Sequence, residues 1–181
     1  TNSTASISLF RSALMLGLAL MSWVSVAEPS TLRTYVASLE NSTWQLSENS
    51  RLQCSLQHPI PNYGTAIFSS AANKLNNLAF ELDLKRLPAN YSVAQVESVP
   101  PAWRPGEGAT QVTQMQWRKQ FNGDIDEKSA WTLLNELEKG YFPTFYYADW
   151  HNRSDRISVG LAATNFRPAY YDFLNCVDNL L

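Results

Sequence analysis

The chain has 181 residues, carries 14 Lys+Arg against 16 Asp+Glu, and has a formal net charge of -2. Apolar residues make up 45%, while Gly and Pro number 7 and 9; that balance excludes a collagenous, mucin-like or disordered chain. A near-neutral charge gives no electrostatic reason to bind nucleic acid or anionic lipid, and the length suits one hydrophobic core.

Arg11 is the one charge before Glu28. The apolar run from Ala13 to Met21, continued by Trp23 and Val24, is shorter than the roughly 20 residues a bilayer span needs. It reads as the core of a secretory signal peptide. Ser25-Val26-Ala27 offers the small residues that signal peptidase prefers, so the expected cut lies between Ala27 and Glu28. The expected organisation is a signal peptide over 1–27 and a single β domain over 28–181. An uncleaved anchor or a buried helix is the alternative for the first segment.

Export changes how Cys54 and Cys176 read. An even pair in an oxidising compartment points to a disulfide, with two buried free thiols as the alternative. No metal or cofactor is expected, because zinc wants four clustered ligands and His58 and His151 are the two histidines.

Leu32 to Leu39 reads as a lead-in. Leu52, Cys54 and Leu56 alternate with polar residues as a half-buried strand, which His58-Pro59-Ile60-Pro61 should break. Thr65 to Ser69 is a second apolar stretch. Leu78, Phe80, Leu82 and Leu84 form the clearest strand, and Tyr91 to Val96 continues the pattern after a turn. Val99 to Gly108 holds three prolines and should be an ordered loop. Thr113, Met115, Trp117 and Phe121 define another strand, turned by Asn122-Gly123. From Ser129 the spacing of Trp131, Leu134 and Leu137 predicts a helix stopped by Gly140. Two more strands follow, Thr144–Trp150 and Arg156–Thr164. Pro168 opens a last helix with Phe173, Cys176, Val177 and Leu180 as its apolar stripe. The expectation is a mainly β fold, an antiparallel barrel or sandwich of about seven or eight strands with two helices.

Catalytic constellations are thin. There is no Gly-x-Ser-x-Gly elbow, His58 reads as a turn residue and His151 as a surface residue. Asp124, Asp126 and Glu127 fit a solvated helix start better than a calcium loop. The aromatics are the richer signal. Trp103-Arg104, with Glu107 in the same loop, and Tyr146-Tyr147 are candidate exposed contacts, of the residue types enriched in protein interfaces. A Trp103 buried beneath its loop is the equal alternative.

The chain resembles the N-terminal domain of the MotY family of flagellar motor proteins, from about Thr34 to Leu181. Pro100-Pro101-Ala102-Trp103-Arg104-Pro105-Gly106-Glu107 carries most of the likeness. Leu52-Gln53-Cys54, His58-Pro59-Ile60-Pro61, Phe80-Glu81-Leu82-Asp83 and Glu136-Leu137-Glu138-Lys139-Gly140 support it. The resemblance implies a non-enzymatic periplasmic protein of the sodium-driven polar flagellum. It implies a T ring formed with a MotX-like protein around the basal body, beneath the LP ring, which helps recruit or stabilise stator units. It also implies an intramolecular disulfide, here between Cys54 and Cys176. The family's peptidoglycan contact runs through a C-terminal OmpA-like domain that this chain does not include. Thr1 in place of Met and a stop at Leu181 inside an expected helix read as marks of a fragment, with a single-domain relative as the alternative. A periplasmic ligand- or sugar-binding β-barrel and an exported hydrolase are the competing function classes.

Overall fold

The computed structural model describes residues 30–50, 52–72, 78–84, 93–117, 122–149, 152 and 154–180. The expected signal segment with Ala27 and Glu28, and likewise Trp150 and His151, lie outside them. Among the described residues, ten strands and two helices follow in chain order: β1 (Leu32–Tyr35), β2 (Gln45–Ser50), β3 (Gln53–Ile60), β4 (Gly64–Ala71), β5 (Leu78–Leu84), β6 (Ala94–Val99), β7 (Thr110–Trp117), β8 (Asn122–Ile125), α1 (Glu127–Glu138), β9 (Phe142–Ala148), β10 (Arg156–Gly160) and α2 (Phe166–Asp178). They form one sheet in the order β1-β10-β9-β6-β7-β8-β5-β4-β3-β2. Every neighbouring pair is antiparallel except β1 and β10, which are parallel.

The sheet curls because alternate residues must share one interior. Leu78, Phe80, Leu82 and Leu84 of β5 are buried, as are Cys54, Leu56 and Ile60 of β3, Phe145 and Tyr147 of β9, and Ile157 and Val159 of β10. Phe80 stacks on Phe145 at 5.5 Å, although β5 and β9 are not ladder neighbours. The curl of the sheet into a half-barrel brings those two rings together. α1 packs against β5, β7 and β9, and α2 against β2 and β3. Cys54 on β3 and Cys176 on α2 are joined by a disulfide with Cα atoms 6.1 Å apart.

Several expectations are corrected. The sheet has ten strands rather than seven or eight, and it is not wholly antiparallel. The lead-in is strand β1, held by β10. His58 and Pro59 do not break the strand; both lie inside β3. Pairing with β2 ends at Gln45–Gln57, so Pro59 sits where β3 has become a local edge. A missing N–H costs no ladder bond on that side. Asn122-Gly123 is not a turn but the start of β8. A Cβ on Gly123 would lie 2.6 Å from Met115 Cε and 2.7 Å from Trp117 Cζ3, so close packing rather than turn geometry selects glycine.

Among the described residues no strand ladder joins the two ends of the sheet; side chains lace them. The Trp44 indole N–H donates to Ala162 O at 2.8 Å, Ser42 Oγ to Thr164 O at 2.7 Å, and Asn165 Nδ2 to Ser42 O at 3.0 Å. His58 is fully buried and stacks on Trp44 at 4.3 Å with 9° between the planes. Its Nδ1 lies 2.7 Å from Thr43 O, and its Nε2 lies 3.3 Å from the Ala162 amide nitrogen. A carbonyl needs a donor and an amide N–H needs an acceptor, so the ring is the neutral Nδ1–H tautomer. Among the described residues no helix is long and apolar enough to cross a membrane.

Candidate protein-docking site

The loop between β6 and β7 is built to hold one shape. Pro100, Pro101 and Pro105 cannot donate to a ladder, and the Arg104 amide turns back onto Pro101 O at 2.9 Å. Gly106 takes φ 90°, a left-handed conformation that glycine enters without a Cβ clash. Arg104 then ties the loop down. Its Nη2 donates to Lys139 O at 3.0 Å, its guanidinium lies 5.2 Å from the centre of the Tyr141 ring, and its Nη1 is 4.0 Å from Glu107 Oε2. The Tyr141 hydroxyl donates to the same Glu107 oxygen at 2.5 Å, and that hydrogen bond, foremost, raises the phenol above its ordinary pKa.

The partner of the loop is the C-terminus of α1. This helix starts at Asp126, whose carboxylate accepts from the Ser129 amide at 3.2 Å and the Ser129 hydroxyl at 2.5 Å. It stops in a Schellman turn: Gly140 at φ 90° donates to Leu137 O at 3.0 Å, and Tyr141 donates to Glu136 O at 2.9 Å. The last turn carries no basic residue, so its carbonyls are capped from elsewhere. Arg104 takes Lys139 O, and Arg167 of α2 takes Glu138 O with Nε at 3.0 Å and Nη2 at 2.8 Å. Two guanidinium groups thus face the negative end of the helix dipole. Tyr171 adds a hydrogen bond to the Glu138 carboxylate at 3.1 Å. Glu136 is raised by burial, but the Ser98 hydroxyl at 2.6 Å and Lys139 Nζ at 2.9 Å together hold it below its ordinary value.

Between loop, α1 and α2 lies an open groove of about 360 Å³. Leu137, Phe142, Phe166 and Pro168 supply much of its apolar lining, and Trp103 stands on its rim. Trp103 is 62% exposed and touches Phe142 edge-on at 6.3 Å. A large aromatic held in the open on a rigid loop, beside an apolar groove, is an arrangement suited to anchoring another protein.

The structure therefore brings Trp103, Arg104 and Glu107 together and places the exposed alternative for Trp103 above the buried one. Arg104 is half-buried and spent on holding the loop rather than facing a partner. Tyr147 is corrected: it is 2% exposed, packs edge-on against Trp117 at 5.5 Å, and its phenol is pushed far up by burial. It offers no surface. Tyr146 points the other way and is half-buried, its pKa raised by burial and then by Glu97. It sits four residues along β9 from Phe142, about 13 Å from the groove. His58, expected in a turn, lies in the core. Sequence reading missed Phe142, Phe166 and Arg167. Only Arg167 has a sequence signal, the bare last turn of α1, whose carbonyls call for water or a donor from elsewhere.

Comparison with known proteins follows the same span. Residues 35–181 match the family model of the MotY N-terminal domain. The sodium-type flagellar protein MotY of Vibrio parahaemolyticus serotype O3:K6 (strain RIMD 2210633) is 44% identical over 149 residues, covering 82% of this chain and 51% of that protein. The chain thus spans about half the length of that relative.

Proposed function

The chain belongs to the family of MotY N-terminal domains, and on that premise we propose that it is a non-enzymatic assembly domain of a sodium-type flagellar motor. It is exported to the periplasm, forms the T ring with a MotX-like partner around the basal body, beneath the LP ring, and helps recruit or stabilise the stator units. Family membership over residues 35–181 carries this reading. The groove beside Trp103 supplies the docking surface for the MotX-like partner. Its loop is fixed before binding, so little ordering entropy opposes association.

A pull-down with the MotX-like protein of the same motor tests the surface. Trp103→Ala should weaken capture by about 30-fold, the loss typical of a buried aromatic anchor. Its thermal stability should stay near that of wild type, because the indole is 62% exposed. The exposed Leu52→Ala serves as the control. Full capture by both Trp103→Ala and Arg104→Ala moves the interface elsewhere. A ligand-binding barrel is the weaker reading, because the Phe68, Phe80 and Phe145 rings fill the interior where such a ligand would sit.

A further inference from the structure

The lacing at the seam has a chemical asymmetry. His58 serves two backbone groups, and only the neutral ring can serve both. Thr43 O takes the Nδ1 proton at 2.7 Å, while Nε2 must keep its lone pair for the Ala162 N–H at 3.3 Å. A second proton on Nε2 would set two donors against each other and leave a buried amide unsatisfied. The ring cannot turn to water in place, since it is fully buried and stacked on Trp44.

What Ala162 holds is the back of the groove. Trp44 grips Ala162 O at 2.8 Å and stacks on the histidine, so both rings hold the same residue from one side of the seam. The next residues, Ala163, Thr164, Asn165 and Phe166, line the groove. Ser42 holds two of them, through Thr164 O at 2.7 Å and Asn165 Nδ2 at 3.0 Å.

We propose that His58 is a pH-sensitive latch: a proton on Nε2 releases Ala162 and lets the 162–165 segment swing from the seam, loosening the groove wall. The latch stands on this geometry alone; its effect on partner capture rests on the docking reading above. The surroundings favour release over retention of the charge. Trp44 lies on one face of the ring, Ala66 is its pairing partner on β4, and Thr43 and Ala162 present backbone. Among the described residues no carboxylate or cation acts on the ring electrostatically. Burial lowers its pKa from the ordinary 6.5 and outweighs both the Thr43 carbonyl and the Trp44 indole face, which attracts a cation.

The test follows amide hydrogen exchange by NMR from about pH 7.5 to about pH 5, corrected for intrinsic rates, with the His58 ring nitrogens read in the same samples. The ring should show the Nδ1–H tautomer at the upper pH. Below the ordinary 6.5, exchange at Ala162 should rise by up to about tenfold per pH unit until the folded ring itself takes the proton, while Phe80 and Leu82 in β5 stay protected. His58→Gln, which cannot take a proton in this range and keeps His151, should give a flat profile. An Ala162 amide that stays equally protected from about pH 6.5 to about pH 5 overturns the latch, whether or not the ring has taken a proton. So does an Nε2–H ring at neutral pH, a parallel rise at Phe80, or a rise that His58→Gln retains. If His58→Gln does not fold, the wild-type ring titration against Ala162 exchange decides alone. Capture of the MotX-like partner across the same range is read separately. Exchange that opens without weaker capture counts against the docking surface and leaves the latch standing.

Discussion

At the residue scale, two glycines carry the same letter for different reasons. Gly140 has open space, since an added Cβ would meet only Arg104 Nη2 at 3.9 Å, but its φ is 90°. Its requirement is conformational. Gly123 has no positive φ to explain, yet its Cβ would lie 2.6 Å from Met115 Cε. Its requirement is room. Urea unfolding separates the two. Gly140→Ala should cost about 1 kcal/mol of backbone strain, and Gly140→Asn less, because Asn tolerates the left-handed region. Gly123→Ala should cost about 1–3 kcal/mol of overpacking, partly relieved in the double variant Gly123→Ala, Met115→Ala. Relief of Gly140→Ala by the same Met115 change, or none for Gly123→Ala, would contradict the assignment. Trp103 is the third case. It is an aromatic whose exposure cannot be read from composition, because the same loop could bury it. Arg104 decides the matter by occupying the contacts under the loop.

At the element scale, α2 is held at both ends. Its N-terminus is tied to α1 by Arg167 and to residues 42–44 by Asn165, and its C-terminus is tied to β3 by the disulfide. The bridge spans 122 residues of sequence. Replacing Cys54 and Cys176 together by Ala should lower the stability read from urea unfolding, by up to about 4–5 kcal/mol in the chain-entropy account and often less in practice. Exchange protection should fall first in the last turns of α2. Unchanged protection there would show that packing, with Phe173 nearest that end, holds the helix without the bridge. The same elements show what was legible beforehand. β5 and α1 announce themselves, because each carries its own hydrophobic period. The proline loop was legible for the same local reason. β1 and β2 were not. Leu32–Tyr35 is extended because β10 pairs with it, and Gln45–Ser50 is a polar stretch recruited by β3. Pro59 misled because the rule against proline applies to a strand paired on both sides, and here one side is free. In Tyr146-Tyr147, alternation says that one ring faces in and one out, but not which. At the groove, the loop half was visible in sequence and the α2 half was not, because capping a helix from another helix is a tertiary event.

At the scale of the whole molecule, acid should act on the fold in two windows, the upper one through His58 and the lower one through Glu136 together with Asp126 and Asp155, whose hydrogen bonds to Ser129 and Thr31 also hold them below the ordinary value. The folded state needs His58 neutral, and burial places its pKa below the ordinary 6.5. The unfolded chain therefore takes up a proton first as pH falls. The contribution of His58 is complete above 6.5 and is lost as pH drops towards the folded value. Glu136 acts lower. Burial raises its carboxyl, but the Ser98 and Lys139 hydrogen bonds outweigh that and leave it below the ordinary 4.5. Its contribution is present above 4.5 and is lost as pH falls through the folded value. Both losses run in the same direction, and they belong to different parts of the molecule. One opens the seam between the sheet ends; the other frees α1 from β6, where Ser98 lies. Thermal unfolding across pH should show the midpoint declining in two stages. His58→Gln should remove the upper stage and keep the lower, while Ser98→Ala should shrink the lower and keep the upper. His151 is common to all three proteins, so it cannot account for a stage that His58→Gln abolishes. A wild-type midpoint that holds level down to about pH 4.5 would mean that the seam does not depend on the charge of His58. The closure of the half-barrel would then rest on the other contacts across the seam, those of Trp44 and Ser42 and the Tyr35–Tyr63 ring pair among them.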